Sequence, residues 1–312
     1  MGSILNASVA KYMKFFKHNP ELSTPDKHPR SVERKHTPKR PSRIGRLAVL
    51  AGMLPSLSFA PSHVDANNQH LGASYQELSL IKAKYPDDLI EKMSFNIAGS
   101  RYGIEKVVDT IEREDPDIVA LQEISPASLQ YIKANSSLKT SVQSAGSRNA
   151  ILTNLEVVDS EVIQLHNSGG HEQRTLELAT VEFNDSLVLV GSFHQIHDGS
   201  AIFGDAHSAE RLQQSIDIAT ATSDPKYDGL TQIISGDANT GPSSQHYEVL
   251  TRNLTDATLA LGGIMQTFRG FLYDSQKDYT LISEDARAVE QHTINMNASD
   301  HYALVTSVLI DN

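Results

Sequence analysis

One α/β or α+β domain built on two sheets is the fold class the sequence predicts from about residue 75 to the end. Three observations point to it. Short apolar runs rich in β-branched residues recur along the chain between polar turns; only a few segments show helical periodicity; and there is no internal repeat or low-complexity core. In order, Tyr75 to Tyr85 reads as a short helix stopped by Pro86, and Leu89 to Ala98 as a strand. Ile104, Val107, Val108 and Ile111 fall at i, i+3, i+4 and i+7, which makes one apolar stripe on a helix that ends before Pro116. Asp117 to Leu121, Asn149 to Thr153, Ser160 to Leu165, Leu176 to Phe183 and Leu187 to Phe193 follow as strands. A helix from about Ala206 to Thr222 is expected to turn Leu212, Ile216 and Ala219 inward. A strand at Ile233, a short helix near Gln245 to Leu250, and two last strands at Tyr279 to Ser283 and Tyr302 to Leu309 complete the domain.

The 312 residues carry a formal net charge of −11, distributed unevenly. Residues 1–60 hold eleven Lys/Arg against three acids, +8, so the remainder holds sixteen against thirty-five, −19. An acidic body argues against broad adhesion to nucleic acid or anionic membrane, which needs surplus cations. It suits a protein that gathers carboxylates around a divalent cation. With no Cys, thiol catalysis, Cys-based zinc sites and disulfides are excluded.

Three regions are expected. Residues 1–60 form a basic, mostly disordered head, 61–88 a linker and short helix, and 89–312 the catalytic domain. The head ends in an uncharged stretch, Leu47 to Ala60, that follows Arg43 and Arg46 and closes on Ser58-Phe59-Ala60. That pattern fits a signal peptide cleaved near Ala60 and hence export, secreted or periplasmic. A membrane anchor through 47–60, or a structural extension, stays open, because about 46 residues is long for the region preceding a signal core.

Several strands end in a polar side chain of the kind that binds a hard metal or a phosphate. The first delivers Asn96, the second Glu123, the Leu187 strand His194, and the Ile233 strand both Asp237 and Asn239, which point the same way because they are two apart. Asp278 opens a late strand and Asp300-His301 precedes the last. Each has a mundane alternative. Gly236-Asp237-Ala238-Asn239 is also a good turn, Glu123 could cap the helix after Ser125, His194 could be a core histidine, and Asp300 a turn residue. Separate caps explain one or two such placements; they explain poorly a series that repeats at strand end after strand end.

The order of these residues resembles the endonuclease/exonuclease/phosphatase superfamily, with its deoxyribonuclease I-like fold. Ser94-Phe95-Asn96-Ile97 is similar to its "WN" motif, Asp117 to Glu123 (DIVALQE) to its "D-I-hydrophobic-L-Q-E", and Asn149-Ala150-Ile151-Leu152 to "GNAIL". Arg174 with Leu176 resembles "R-x-L", Ser192-Phe193-His194 "N-T-H", Arg211 with Gln214 "R-x-x-Q", Gly236 to Asn239 "G-D-F-N", Lys277-Asp278-Tyr279 "I-D-Y", and Ser299-Asp300-His301 "S-D-H". The likeness spans about residues 89 to 309. Ala238, Phe95, Gln195 and Asn154 depart from the family pattern; the first three are packing positions, so they loosen the subfamily more than the chemistry.

The resemblance implies a four-layer α/β sandwich, two packed mixed sheets flanked by helices, and a hydrolase of phosphoric esters that uses Mg²⁺, with Mn²⁺ as a substitute. Asn96 and Glu123 would hold the metal, whose octahedral shell of oxygens needs few protein ligands, and Asp300 would support the metal or Asp237. Asp237 would orient or deprotonate the attacking water and Asn239 hold the phosphate or the nucleophile. His194 and His301, both protonated, would bind the non-bridging oxygens, with Asp278 raising the pKa of His301. Arg174 and Asn149 are the substrate-binding candidates. The expected substrate is a phosphodiester, nucleic acid or nucleotide first and phospholipid or inositol phosphate second, cleaved by a monomer with no stable protein partner implied. A non-catalytic binding module is the remaining reading. Ile264 to Tyr273 (IMQTFRGFLY) is the one stretch that could form an aromatic hairpin beside the active face; its simpler reading is a core-packed segment.

Overall fold

The computed structural model describes residues 68–169, 172–197, 199–200, 204–270 and 274–310. The expectations for residues 1–60, the signal-like stretch included, lie outside these, as does 61–67 of the linker. Among the described residues no helix is long and apolar enough to cross a membrane.

The strands are β1 (His70–Gly72), β2 (Leu89–Asn96), β3 (Ile118–Gln122), β4 (Thr140–Val142), β5 (Asn149–Thr153), β6 (Glu156–Gln164), β7 (Thr175–Phe183), β8 (Ser186–His194), β9 (Gly199–Ser200), β10 (Gly204–Asp205), β11 (Thr231–Asp237), β12 (Thr255–Asp256), β13 (Asp278–Ile282), β14 (Ala286–Ile294) and β15 (Ala303–Ile310). The α-helices are α1 (Tyr75–Lys84), α2 (Ile104–Glu114), α3 (Pro126–Asn135), α4 (Ser208–Thr222), α5 (Gln245–Leu250) and α6 (Ala257–Ala260). One sheet runs β1-β14-β15-β2-β3-β5-β4, the other β12-β13-β11-β8-β7-β6, and β9 and β10 form a separate ribbon. Both large sheets are mixed. β2 is parallel to β3 and β8 to β11, while the other pairs are antiparallel.

Alternation along the strands makes four layers. In β2, Met93 and Phe95 face outward and pack on Val107 and Ile111 of α2 and Leu129 and Ile132 of α3. Ile90 faces inward and meets Val188, Val190 and Ile233 of the second sheet. That sheet's outer face buries Leu178, Leu189 and Phe193 against Ile218 of α4 and Tyr247 of α5. Two sheets flanked by helices are therefore present as expected. The inner layer is apolar at one end and polar at the other. Lys92, fully buried, donates from Nζ to Gly191 O at 2.9 Å and Ile233 O at 2.8 Å; burial pulls its pKa down to about 7. Further along, Gln122 Nε2 donates to Ser192 Oγ and Asn149 Nδ2 to Thr175 O, so hydrogen bonds between the sheets replace hydrocarbon on the way to the strand ends.

Three expectations need correcting. β1 lies inside the expected linker, and β14 follows a strand that was expected to be followed directly by the last one. The charged sequence of β14, ARAVEQHTI, hides its alternation because Glu290 is buried against His70 and His292. α4 is turned differently: Ile216 is exposed, whereas Arg211, Gln214, Ile218 and Ala219 are buried. Arg211 Nη1 donates to Ile196 O and Gln214 Oε1 accepts from Ile196 N, so this helix buries polar groups to satisfy the backbone just past His194.

Gly236 is required where β11 meets β8. A Cβ at this position would stand 2.0 Å from Phe193 O, a backbone atom that cannot swing aside. Gly236→Ala is expected to destabilise the fold by about 3 kcal/mol, the upper end of overpacking costs, read as a lower urea midpoint at unchanged slope. A midpoint equal to wild type would show that the two strands can separate at no cost.

Candidate active site

The topology itself gathers the polar strand ends. β2, β3, β8 and β11 finish at one edge of the sandwich; β5, β7, β13 and β15 run antiparallel to neighbours in that set and so begin there. Asp237 is paired with His194 on one side and Asp278 on the other, and Asn96 sits opposite Gln122, which in turn faces Asn149.

Asp237 is the centre of the buried set. Its Oδ1 accepts from the backbone N–H of Asn239 at 2.8 Å, and its Oδ2 from Asn96 Nδ2 at 2.9 Å and Asn239 Nδ2 at 3.2 Å. His194 Nε2 and His301 Nε2 stand 3.4 and 3.6 Å from that same Oδ2. Burial pushes the Asp237 carboxyl above its ordinary pKa, and the charge on His301 works against the push. Asn239 reaches this geometry by a left-handed backbone, φ 50°, and its amide is further tied to Gln195 O at 3.0 Å.

His301 is held from three directions. Its Nδ1 lies 2.8 Å from Asp278 Oδ2, its backbone N–H donates to Ser299 Oγ, and the ring of Phe268 packs with its centroid 4.9 Å away. Burial disfavours the charged ring, but the carboxylates of Asp278 and Asp237 overcome it and hold the pKa up at about 9. His301 is therefore an imidazolium at neutral pH. Thr267 Oγ1 accepts the Asp278 N–H, fixing the carboxylate's own strand end.

His194 differs from expectation. Arg174 Nη1 lies 2.9 Å from its Nδ1 and 3.5 Å from its Nε2, and a guanidinium only donates. Burial, reinforced by the Arg174 charge, pulls the His194 pKa well below its ordinary value. The expected imidazolium at this position is thus replaced by a neutral ring, and the second fixed positive charge belongs to Arg174. Arg174 is itself mostly buried, and its Nε has no hydrogen-bond partner among the described residues.

Of the three candidate metal residues, Asn96 is buried and accepts the Ala98 N–H on Oδ1 at 3.0 Å; Ser299 Oγ hydrogen-bonds to Asn96 O and to Asp300 Oδ1, joining those two loops. Glu123 follows Gln122 directly, is partly exposed, and also has a left-handed backbone, φ 56°. Among the described residues, the His and acid side chains whose donor atoms all fall within 4.8 Å of one another are Asp237, Asp278 and His301. There the imidazolium already lies between the two carboxylates and supplies their counter-charge. The amide oxygen of Asn96 with the carboxylates of Glu123 and Asp300 is an all-oxygen set, the donor type a hard divalent ion takes, and so the better fit. Asn149 has given both amide hydrogens to Thr175, at 2.7 and 3.0 Å, which joins the two sheets below the site.

Sequence reasoning missed several contributors. Arg148 Nη2 donates to Glu123 O at 3.3 Å and its Nη1 to Glu172; Lys277 Nζ donates to Asn239 O; Arg269 N–H donates to Asp300 O. Arg148 stands one residue before the "NAIL" strand, which is the only signal that could have drawn attention to it. Phe268 corrects the core-packed reading of 264–273: Met265 is fully buried, but Phe268 is half-buried against His301, and 271–273 lie outside the described residues.

The model of the Endonuclease/Exonuclease/phosphatase family matches residues 93–301. Among solved structures, an endonuclease/exonuclease/phosphatase from Bacteroides vulgatus is similar at TM-score 0.61 and 17% identity, over 71% of this chain and 99% of that one. D. rerio TDP2 complexed with a single-strand DNA product is similar at TM-score 0.60 and 18% identity, over 71% and 99%. The Bacteroides thetaiotaomicron mannosyl-6-phosphatase Bt3783 is similar at 0.58 and 15%, over 71% and 100%. No curated protein sequence matches this chain. At these identities the likenesses establish the fold, and the family match covers about two thirds of the chain: it belongs to the endonuclease/exonuclease/phosphatase family, hydrolases acting on phosphoester bonds.

Proposed function

We propose that the protein is a Mg²⁺-dependent phosphodiesterase of nuclease type, acting on DNA or a nucleotide ester. Asp237 takes the proton of the attacking water; its raised pKa suits a general base better than an ordinary aspartate. Asn96 and Asn239 orient its two oxygens by the bonds given above. The His301 imidazolium donates from Nε2 to a non-bridging phosphate oxygen and meets negative charge as it develops, while Asp278 keeps the ring charged and turned. Arg174 supplies a second positive charge beside neutral His194. Bound through Glu123, Asn96 and Asp300, Mg²⁺ would draw charge from a phosphate oxygen, and Mn²⁺ would substitute for it.

The observation that carries the substrate reading is where the scarce cations sit. The body is acidic, yet Arg101, Arg148, Arg174, Arg269 and Lys277 each contact a residue of this edge. A cationic rim on an acidic molecule supports binding of a phosphate backbone at the site without adhesion elsewhere. TDP2 with its bound DNA product supports a nucleic-acid substrate by analogy of fold.

The full-length protein is expected to hydrolyse bis-p-nitrophenyl phosphate with Mg²⁺, to stop in EDTA, and to recover when Mg²⁺ is returned. Activity that persists in EDTA removes the metal from the mechanism. Plasmid DNA, sphingomyelin and phosphoinositides assayed with the same protein separate substrates; DNA cleaved no faster than the lipids would overturn the nuclease reading.

A further inference from the structure

Glu172 lies on the loop before β7 and takes no part in the chemistry above. Its two oxygens share one nitrogen of Arg148, with Nη1 3.2 Å from Oε2 and 3.4 Å from Oε1, and the same Oε2 is 4.0 Å from Arg174 Nη1. Arg148 in turn lies 3.9 Å from Glu123 Oε2, and Arg174 lies against His194. The two guanidiniums at the mouth of the site thus share Glu172, while Glu123, the other carboxylate beside Arg148, is one the metal would take. Of these carboxylates Glu172 is the more exposed, and no backbone N–H or hydroxyl is seen holding it in place among the described contacts.

We propose that Glu172 is a specificity-determining residue: by cancelling one charge of the Arg148–Arg174 pair, it sets the site for phosphoesters with one negative charge and against those with two. This rests on the phosphodiesterase reading of the site. A phosphodiester carries one negative charge and has no further proton to lose. A phosphomonoester, whose second pKa is about 6, carries two at pH 8. Any phosphate that reaches Arg148 and Arg174 must approach the Glu172 carboxylate or displace it. The second charge of a monoester meets that repulsion again, with no uncompensated cation to offset it. The mannosyl-6-phosphatase of the same fold shows that the scaffold also serves phosphomonoesters, so the choice between ester classes must come from side chains such as this one.

The test is a titration of full-length wild type and E172Q with methyl phosphate and dimethyl phosphate at pH 8 and low salt. EDTA is present so that no metal charge enters, and binding is followed by calorimetry or NMR. The Kd for methyl phosphate is expected to tighten about fivefold more than that for dimethyl phosphate, equivalent to about 1 kcal/mol. The matching change at the far end of β6, E156Q, is expected to leave both unchanged. If both ligands shift equally in E172Q, if neither shifts, or if both weaken because Glu172 holds the arginines in place, the proposal is overturned. Turnover of p-nitrophenyl and bis-p-nitrophenyl phosphate is measured on the same proteins with Mg²⁺. A wild type that turns over neither ester refutes the phosphodiesterase reading, while the ratio of binding constants still decides the role of Glu172.

Discussion

Asp237→Asn is expected to lower kcat for a phosphodiester by at least about 10²-fold, the lower bound for a positioned general base. The substitution keeps the shape and removes the carboxylate to which the proton of the attacking water is assigned. It also reverses a hydrogen bond. Oδ1 accepts the Asn239 N–H while Oδ2 accepts from Asn96 Nδ2 and Asn239 Nδ2, and an amide has one oxygen, so either the backbone donor or both amide donors lose their acceptor. The second effect is structural and the first chemical, and a thermal melt tells them apart. A melting temperature within a few degrees of wild type with kcat lost assigns the loss to proton transfer. A rate equal to wild type removes Asp237 from catalysis.

His301 is the site of the second large effect. His301→Ala is expected to cost at least about 10²-fold in kcat, with KM little changed if the ring acts on charge that develops late. Asp278→Asn provides the more searching experiment because it leaves the ring in place. With a pKa of about 9, His301 stays charged across neutral pH, and activity should fall on the alkaline side only as that value is passed. Without the Asp278 carboxylate the descending limb is expected to move down toward the ordinary histidine value of about 6.5. The sign for stability follows the same shift. A folded pKa above the unfolded one means that the Asp278–His301 pair contributes fully below about pH 6.5 and is lost as pH rises through about 9. A limb that does not move in Asp278→Asn would mean that burial and Asp237 alone set the charge state.

Much of this site was legible because strand ends are where a sequence shows its intentions. Asn96, Glu123, His194, Asp237 and Asp278 each follow or open a run whose apolar pattern fixes both the strand and the place where it stops, and a parallel pair flanked by antiparallel neighbours then brings such ends to one edge. What stayed hidden depends on pairings distant in sequence. The neutrality of His194 comes from burial, reinforced by Arg174 twenty residues earlier, and the place of Arg148 from Glu123 and Glu172 on two other loops. The turn of α4 could not be read from its apolar residues because Arg211 and Gln214 face inward to serve a backbone that the helix's own sequence does not contain. β14 escaped for a related reason: its buried Glu290 breaks the alternation unless His70 and His292 are known to pair with it.

The left-handed backbones of Glu123 and Asn239 place two candidate site side chains on residues that glycine would occupy more comfortably. Glycine at either position would relax the turn and remove an oxygen or an amide that the edge needs. The melting temperature and the turnover number would then move in opposite directions. A chain selected only to withstand heat would exchange these two residues early, and its sheets and helices would survive unaltered while the place where water meets phosphate was lost.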